Sequence, residues 1–196
     1  MKQDIILCGV GGQGILSIAT VIGWAALDQN LYLKQAEVHG MSQRGGDVQS
    51  NLRLSSDPIN SDLIPLGSCD LIVSLEPMEA LRYLPYLSPT GWIITNSTPF
   101  INIPNYPDME AVNGELNKVK NLINIDVDAI AKEVKSPRSA NMVLLGATAA
   151  VLNMLEPDKL REGITQVFMR KGQAIVDTNI AAFNAGLEYA QKHTLK

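Results

Sequence analysis

Two polar stretches of this chain carry residue types that can hold or transform a ligand. The first is Gly9-Val10-Gly11-Gly12-Gln13-Gly14. Gly9, Gly11 and Gly14 fit G-x-G-x-x-G, a spacing that lets backbone approach a phosphate closely and points helix N–H groups at it. The same glycines would serve equally to turn the chain and seat a helix on its strand. The second stretch is His39-Gly40-Met41-Ser42-Gln43-Arg44-Gly45-Gly46-Asp47, too rich in recognition chemistry for a simple turn. Arg44 offers a planar fork to a carboxylate or phosphate, and a charged hydrogen bond of this kind is worth about 1.5–3 kcal/mol net. A helix N-terminus after Gly14 would add about 0.3–1 kcal/mol toward an anion. Gln13, Ser42, Gln43 and Arg44 are therefore expected to converge with His39 on one crevice. The plainer alternatives are a surface ion pair for Arg44 and a hydrogen-bonded loop histidine for His39.

These residues need elements to position them. Ile5 to Cys8, after Asp4, is a short apolar run, and apolar residues return at Ile15, Ile18, Ala19, Ile22, Ala25 and Ala26, so the opening reads as strand, tight turn and helix. The helix should end near Gln29-Asn30, and Leu31 to Val38 should form a second strand beside the first. Both polar stretches would then leave the carboxyl ends of neighbouring parallel strands, where open α/β sheets place their ligands. A dinucleotide site would also want an acidic residue at the end of that second strand; Glu37 is the candidate, a few residues late. Alternation from Val48 to Leu54 predicts a half-exposed antiparallel strand at one edge. Further strands are expected at Cys69–Leu75, Gly91–Asn96 and Leu122–Ile125. Helices are expected from Pro77 to Leu84, Asp108 to Lys120, Val127 to Glu133, Ala140 to Leu155, Pro157 to Arg170 and Ala174 to Lys192, with a proline-bearing loop from Pro99 to Pro107. The pattern predicts a single α/β domain over residues 1–196: a three-layer, mostly parallel Rossmann-like sheet with helices on both faces and an antiparallel edge strand.

Composition removes several function classes. The formal charge is −4, with 16 Lys and Arg spread along the chain, so no basic stripe addresses nucleic acid or an anionic membrane. Ile5 to Leu27 is uncharged and long enough for a membrane span, but the glycine turn breaks it. Asp4 interrupts any leader-like start, and a cytoplasmic location is expected. With only Cys8 and Cys69 present, a disulfide framework is not expected, and a four-thiolate iron–sulfur or zinc site cannot be built from this chain. No metal site is expected, and any cluster must sit on a partner. Both cysteines fall in strand patterns and read as small buried apolar residues. Gly-x-Ser-x-Gly, Gly-Lys-Ser/Thr, His-Glu-x-x-His and Tyr-x-x-x-Lys are all missing, which leaves an independent hydrolase without support.

Gly9 to Gly14 followed by Glu37-Val38-His39-Gly40-Met41-Ser42-Gln43-Arg44-Gly45-Gly46 resembles the gamma-type subunit of the 2-oxoacid:ferredoxin oxidoreductases. The His-Gly-Met-Ser-Gln-Arg-Gly-Gly form is most similar to the beta subunit of indolepyruvate:ferredoxin oxidoreductases, other members having a Tyr-Gly-Pro-Glu type of lead-in. The similarity extends over nearly the whole chain, including Asn141 to Gly146 and Asn179 to Gly186. It implies oxidative decarboxylation of an arylpyruvate, with coenzyme A as acyl acceptor and ferredoxin as electron acceptor. Thiamine diphosphate and iron–sulfur clusters would be carried by a large alpha subunit, and this chain would be an accessory catalytic subunit, inactive alone. On the resemblance, His39 and Arg44 would be catalytic, and Gly9, Gly11, Gly12, Gln13, Gly14, Ser42, Gln43, Gly45, Gly46 and Asn141 would face a cofactor. Asp47 departs from the small or hydroxyl residue expected after Gly46; its carboxylate would either repel a nearby phosphate or pair with Arg44. The runner-up expectation is a free-standing NAD(P)- or flavin-dependent reductase. A non-catalytic scaffold that keeps the glycines for packing is the third.

Overall fold

The computed structural model describes residues 1–39, 45–101 and 103–194, with His39 and Thr194 by backbone alone. Strand β1 (Lys2–Val10) is an almost unbroken buried run, as a strand covered on both faces must be. Ile5 and Leu7 enter the larger of two apolar cores, and Ile6 and Cys8 enter the smaller one on the opposite face. Helix α1 (Ile15–Asp28) follows, then β2 (Tyr32–His39) and β3 (Asp47–Ser55). Next come β4 (Cys69–Ser74), α2 (Pro77–Arg82), β5 (Leu87–Asn96), α3 (Met109–Leu116), β6 (Leu122–Ile125), α4 (Val127–Glu133), α5 (Ala140–Ala149), α6 (Pro157–Phe168) and α7 (Gln173–Thr194).

The six strands lie in the order β2-β3-β1-β4-β5-β6. From β1 through β6 the pairing is parallel, and the β2–β3 hairpin forms an antiparallel edge to the sheet. This is the expected class, with one rearrangement of order. Strand β2 does not lie beside β1, because β3 is inserted between them over nine consecutive pairs, Lys2↔Ser55 to Val10↔Asp47. A contact between β1 and β3 holds this order. Arg53 stands opposite Asp4 and holds it through both oxygens, Nε to Oδ1 at 2.8 Å and Nη2 to Oδ2 at 3.0 Å. The Asp4 side chain is fully buried and also meets Lys2 Nζ at 2.8 Å, and Arg53, itself largely buried, would be left an expensive unpaired charge without it. Nη1 of Arg53 also donates to the carbonyls of Ser61 and Leu63, fastening the β3–β4 connection over the smaller core.

Helices α1, α4, α5, α6 and α7 supply the larger core, and α2 and α3 the smaller. Helix α5 ends at Ala149, earlier than its apolar pattern suggests. The Gln3 side chain accepts from the Asn153 N–H at 3.1 Å and donates to the Val151 carbonyl at 3.4 Å, holding the chain in a turn there. Both cysteines are buried as expected; burial pushes Cys69 up to about 12 and raises Cys8 as well.

Helices α5 and α7 cross at van der Waals limit through two glycines. A Cβ on Gly146 would lie 1.9 Å from the Phe183 carbonyl oxygen, and one on Gly186 would lie 1.9 Å from that of Val143. Both obstacles are backbone, so relief requires the helices to separate. Gly186→Ala should lower stability by about 2–3 kcal/mol in urea unfolding, the upper part of the usual overpacking range. An unchanged midpoint would show that the helices can part freely.

Candidate functional site

The site sits where the winding of the sheet reverses. After β1 the chain moves to β2 and β3 on one side, with α1 against the larger core. From β4 it moves to β5 and β6 on the other side, with α2 and α3 against the smaller core. Reversal of this kind leaves a crevice outside the carboxyl ends of the two central strands, here β1 and β4.

The glycine turn forms one wall, and each of its residues has a geometric task. Gln13 folds back so that its Oε1 accepts from the Val10 N–H at 2.7 Å, while its Nε2 donates to the Leu75 carbonyl at 3.1 Å. It is thus a crossbar between the ends of β1 and β4. A Cβ on Gly9 would stand 2.8 Å from that Oε1 and displace it. Gly14 caps α1 in the left-handed region at φ 87°, and a side chain there would meet Asn141 Nδ2 at 2.7 Å. Asn141 instead donates to the Gly14 carbonyl at 3.2 Å, joining the first turn of α5 to the turn. Gly12, at φ 106°, has open space over its Cα. The first turn of α1 holds no acidic side chain, so its N-terminal dipole faces outward uncompensated, favouring an anion.

The second wall begins with Gly45 and Gly46. The Gly11 N–H donates to the Gly46 carbonyl at 2.8 Å, and the Gly45 N–H to the Gly11 carbonyl at 3.4 Å. These bonds prolong the β1–β3 ladder past Val10 and Asp47, so the two glycine-bearing stretches meet where β1 ends and β3 begins. Gly45 sits in the left-handed region at φ 79°. Ser42, Gln43 and Arg44 lie outside the described residues, as do Gly40 and Met41, and His39 is placed by its backbone at the end of β2. Any pairing of Asp47 with Arg44 therefore also lies outside them.

Three residues not singled out from sequence line the rest of this end. Glu76, 1% exposed, accepts from the Glu79 N–H at 2.9 Å, from the Phe100 N–H at 3.4 Å and from the Tyr106 hydroxyl. Burial, reinforced by that bond to Glu76, pushes the Tyr106 phenol above its ordinary range. Asn96 accepts from the Thr98 and Val127 N–H groups and donates toward the Leu75 carbonyl at 3.5 Å and Asp128 Oδ2 at 3.4 Å. The available signal was position: a polar residue at the end of each buried parallel strand, just before a helix or loop.

The geometry disfavours a dinucleotide reductase. That reading requires the ribose carboxylate on the strand next to β1, but β3 occupies the place and Glu37 lies one strand further out, about 10 Å from β1 at ordinary strand spacing. Glu37 accepts a bond from Gln35 at 2.6 Å on the exposed edge. Among the described residues no group of three or more His, Cys, Asp or Glu is placed to hold a metal ion.

Residues 4–189 match the family described as pyruvate ferredoxin/flavodoxin oxidoreductase. The chain belongs to this family. The indolepyruvate oxidoreductase subunit IorB of Pyrococcus horikoshii is 35% identical over 202 residues, covering 98% of each chain. The fold is shared with a keto/oxoacid ferredoxin oxidoreductase gamma subunit from Geobacter sulfurreducens (TM-score 0.68, 24% identity, 97% of this chain and 99% of that one). It is also shared with 2-oxoglutarate:ferredoxin oxidoreductase from Magnetococcus marinus (TM-score 0.77, 23% identity, 97% of this chain), where this chain spans 31% of the longer one. The family is the one that the Gly9–Gly14 and Glu37–Gly46 segments predict.

The crossbar is testable on the chain itself. Gln13→Ala would leave the Val10 N–H without its side-chain partner and the Leu75 carbonyl with only the long bond from Asn96. An orphaned buried group costs about 1–3 kcal/mol, so a loss of about 2 kcal/mol in urea unfolding is expected. An unaltered unfolding curve would mean that the ends of β1 and β4 do not depend on Gln13.

Proposed function

We propose that this chain, as one domain over residues 1–196, is the accessory catalytic subunit of a thiamine-dependent 2-oxoacid:ferredoxin oxidoreductase acting on indolepyruvate or a related arylpyruvate. The overall reaction is oxidative decarboxylation to an acyl-CoA, with electrons passed to ferredoxin. The observation that carries the reading is the meeting of Gly45 and Gly46, the residues that follow Arg44 in sequence, with Gly11 of the glycine turn, in a chain of this family. The IorB relative supports an arylpyruvate substrate. The Magnetococcus enzyme, solved with 2-oxoglutarate, coenzyme A and succinyl-CoA bound, supports coenzyme A as acyl acceptor.

Division of labour follows from what the chain contains. With two cysteines, both buried, it cannot ligate a cluster of four thiolates. Thiamine diphosphate and the iron–sulfur clusters, which supply the carbanion and electron-transfer chemistry, are therefore assigned to a large alpha subunit. The open end of α1 and Gly12, over which no side chain stands, suit an anionic part of coenzyme A. Arg44, with Ser42, Gln43 and His39, is assigned to a substrate carboxylate or a phosphate, in the segment that leads into Gly45 and Gly46. Gly45, Gly46 and Asn141 fix the two walls relative to each other. Together these residues orient the substrate and exclude water from a crevice that the partner closes. No helix among the described residues is long and apolar enough to cross a membrane, and the complex is assigned to the cytoplasm.

The experiment is Arg44→Ala in the complex reconstituted with its large subunit. Loss of a charge-assisted hydrogen bond of about 1.5–3 kcal/mol predicts a fall in kcat/KM for the arylpyruvate of about 10- to 150-fold, with the complex intact by gel filtration. Unchanged turnover would reduce this chain to a scaffold.

A further inference from the structure

A concavity of about 560 Å³ lies beside the first turn of α1, where Ser17 and Asn141 form part of its wall. The remaining wall comes from the α4–α5 connection and from the start of α7. Lys135, Arg138 and Lys171 all line it, no carboxylate does, and none of the three makes an ion pair among the described residues. Three uncompensated cations around one cavity are unusual in a chain of net charge −4. Between them stand hydroxyl and amide groups beside the apolar Pro137, Phe168 and Ile175. Ser139 and Asn179 are each 5% exposed, and Ser139 Oγ accepts from Ser136 Oγ at 2.7 Å. Phe168, with Lys171 Nζ 5.5 Å from its ring centroid, supplies an apolar wall.

Lys135 carries the most telling detail. It is the residue just past α4, where the Ser136 N–H reaches back to the Ala131 carbonyl at 2.8 Å and the Lys135 N–H to that of Lys132 at 3.0 Å. That pattern puts Lys135 in the left-handed region at φ 57°, a position that glycine fills without strain and an L side chain does not. The chain thus keeps a cationic side chain at the lip of the cavity, where the backbone alone would favour glycine.

We propose that this cavity binds a diphosphate group. Its cations match the charge of a diphosphate better than that of a single carboxylate, the hydroxyl and amide groups can donate to its oxygens, and its volume leaves room for an organic body against Phe168. The proposal stands on the cavity alone and does not rest on the oxidoreductase reading. Free pyrophosphate and the diphosphate of a nucleotide share this chemistry, and both serve as probes.

The test is calorimetric titration of the full chain with inorganic pyrophosphate, with ADP and with adenosine, at low and moderate salt. Pyrophosphate and ADP should bind saturably, more weakly as salt rises, and adenosine should not. Tighter binding of ADP would name a nucleotide as the source of the diphosphate, and equal or tighter binding of pyrophosphate the free anion. Arg138→Ala with Lys171→Ala should raise Kd at least tenfold, while Lys34→Ala, whose lysine pairs with Asp62 elsewhere, should leave it unchanged. Lys135→Gly should raise Kd at least threefold with a Tm equal to or above that of the parent chain, separating a binding role from a structural one. The proposal is overturned if neither phosphate probe binds, if adenosine binds as well as ADP, if Lys34→Ala weakens binding equally, or if Lys135→Gly leaves Kd unchanged.

Discussion

The antiparallel seam between β1 and β3 is the constraint on which the rest of the site depends. Nine paired positions bring Asp47 opposite Val10, and two further backbone bonds lay Gly45 and Gly46 against Gly11. Because β3 enters the sheet beside β1, the two glycines that lead into β3 lie against the glycine turn. A hairpin edge, ordinarily a peripheral feature of an α/β sheet, thereby becomes the device that brings a second recognition segment to the central crevice. The same insertion moves β2 outward and removes the carboxylate position that a dinucleotide site would use.

Polar groups at the two ends of the strands hold this arrangement in register. At one end Asp4 and Arg53 form a buried bidentate pair, whose disruption from one side costs about 3–5 kcal/mol in comparable sites. A one-residue slip would turn Arg53 to the opposite face and strand that charge. At the other end Gln13 and Asn96 tie β1, β4, β5 and the start of α4 together through main-chain groups. Both amides sit where the parallel strands end and backbone donors and acceptors lose their ladder partners, so the crevice is walled by fixed backbone.

Much of the fold was legible because its signals are local. The glycine turn, the apolar period of α1, the run Leu122–Ile125 and the proline-started helices are set by neighbours in sequence, and they appear where the pattern places them. Strand order was not legible, since Leu31–Val38 and Val48–Leu54 carry no local mark of which lies next to β1; the choice rests on Arg53 meeting Asp4 across 49 residues. The end of α5 was likewise decided at a distance, by Gln3. In the site, Gly9, Gln13 and Asn141 could be named from sequence, but their tasks depend on distances that spacing does not contain. Glu76, next to the proline that starts a helix, drew no attention, because nothing near it in sequence shows that Phe100 and Tyr106 come down onto its carboxylate.

The central claim is that this chain completes, but does not by itself contain, a 2-oxoacid oxidoreductase site. The most direct measurement is ferredoxin reduction with an arylpyruvate and coenzyme A, made with the large thiamine-dependent subunit alone, with this chain alone, and with the two recombined. The account predicts no turnover by either part and turnover that saturates at a fixed ratio of the two chains. Turnover by this chain alone, or full turnover by the large subunit without it, would contradict it.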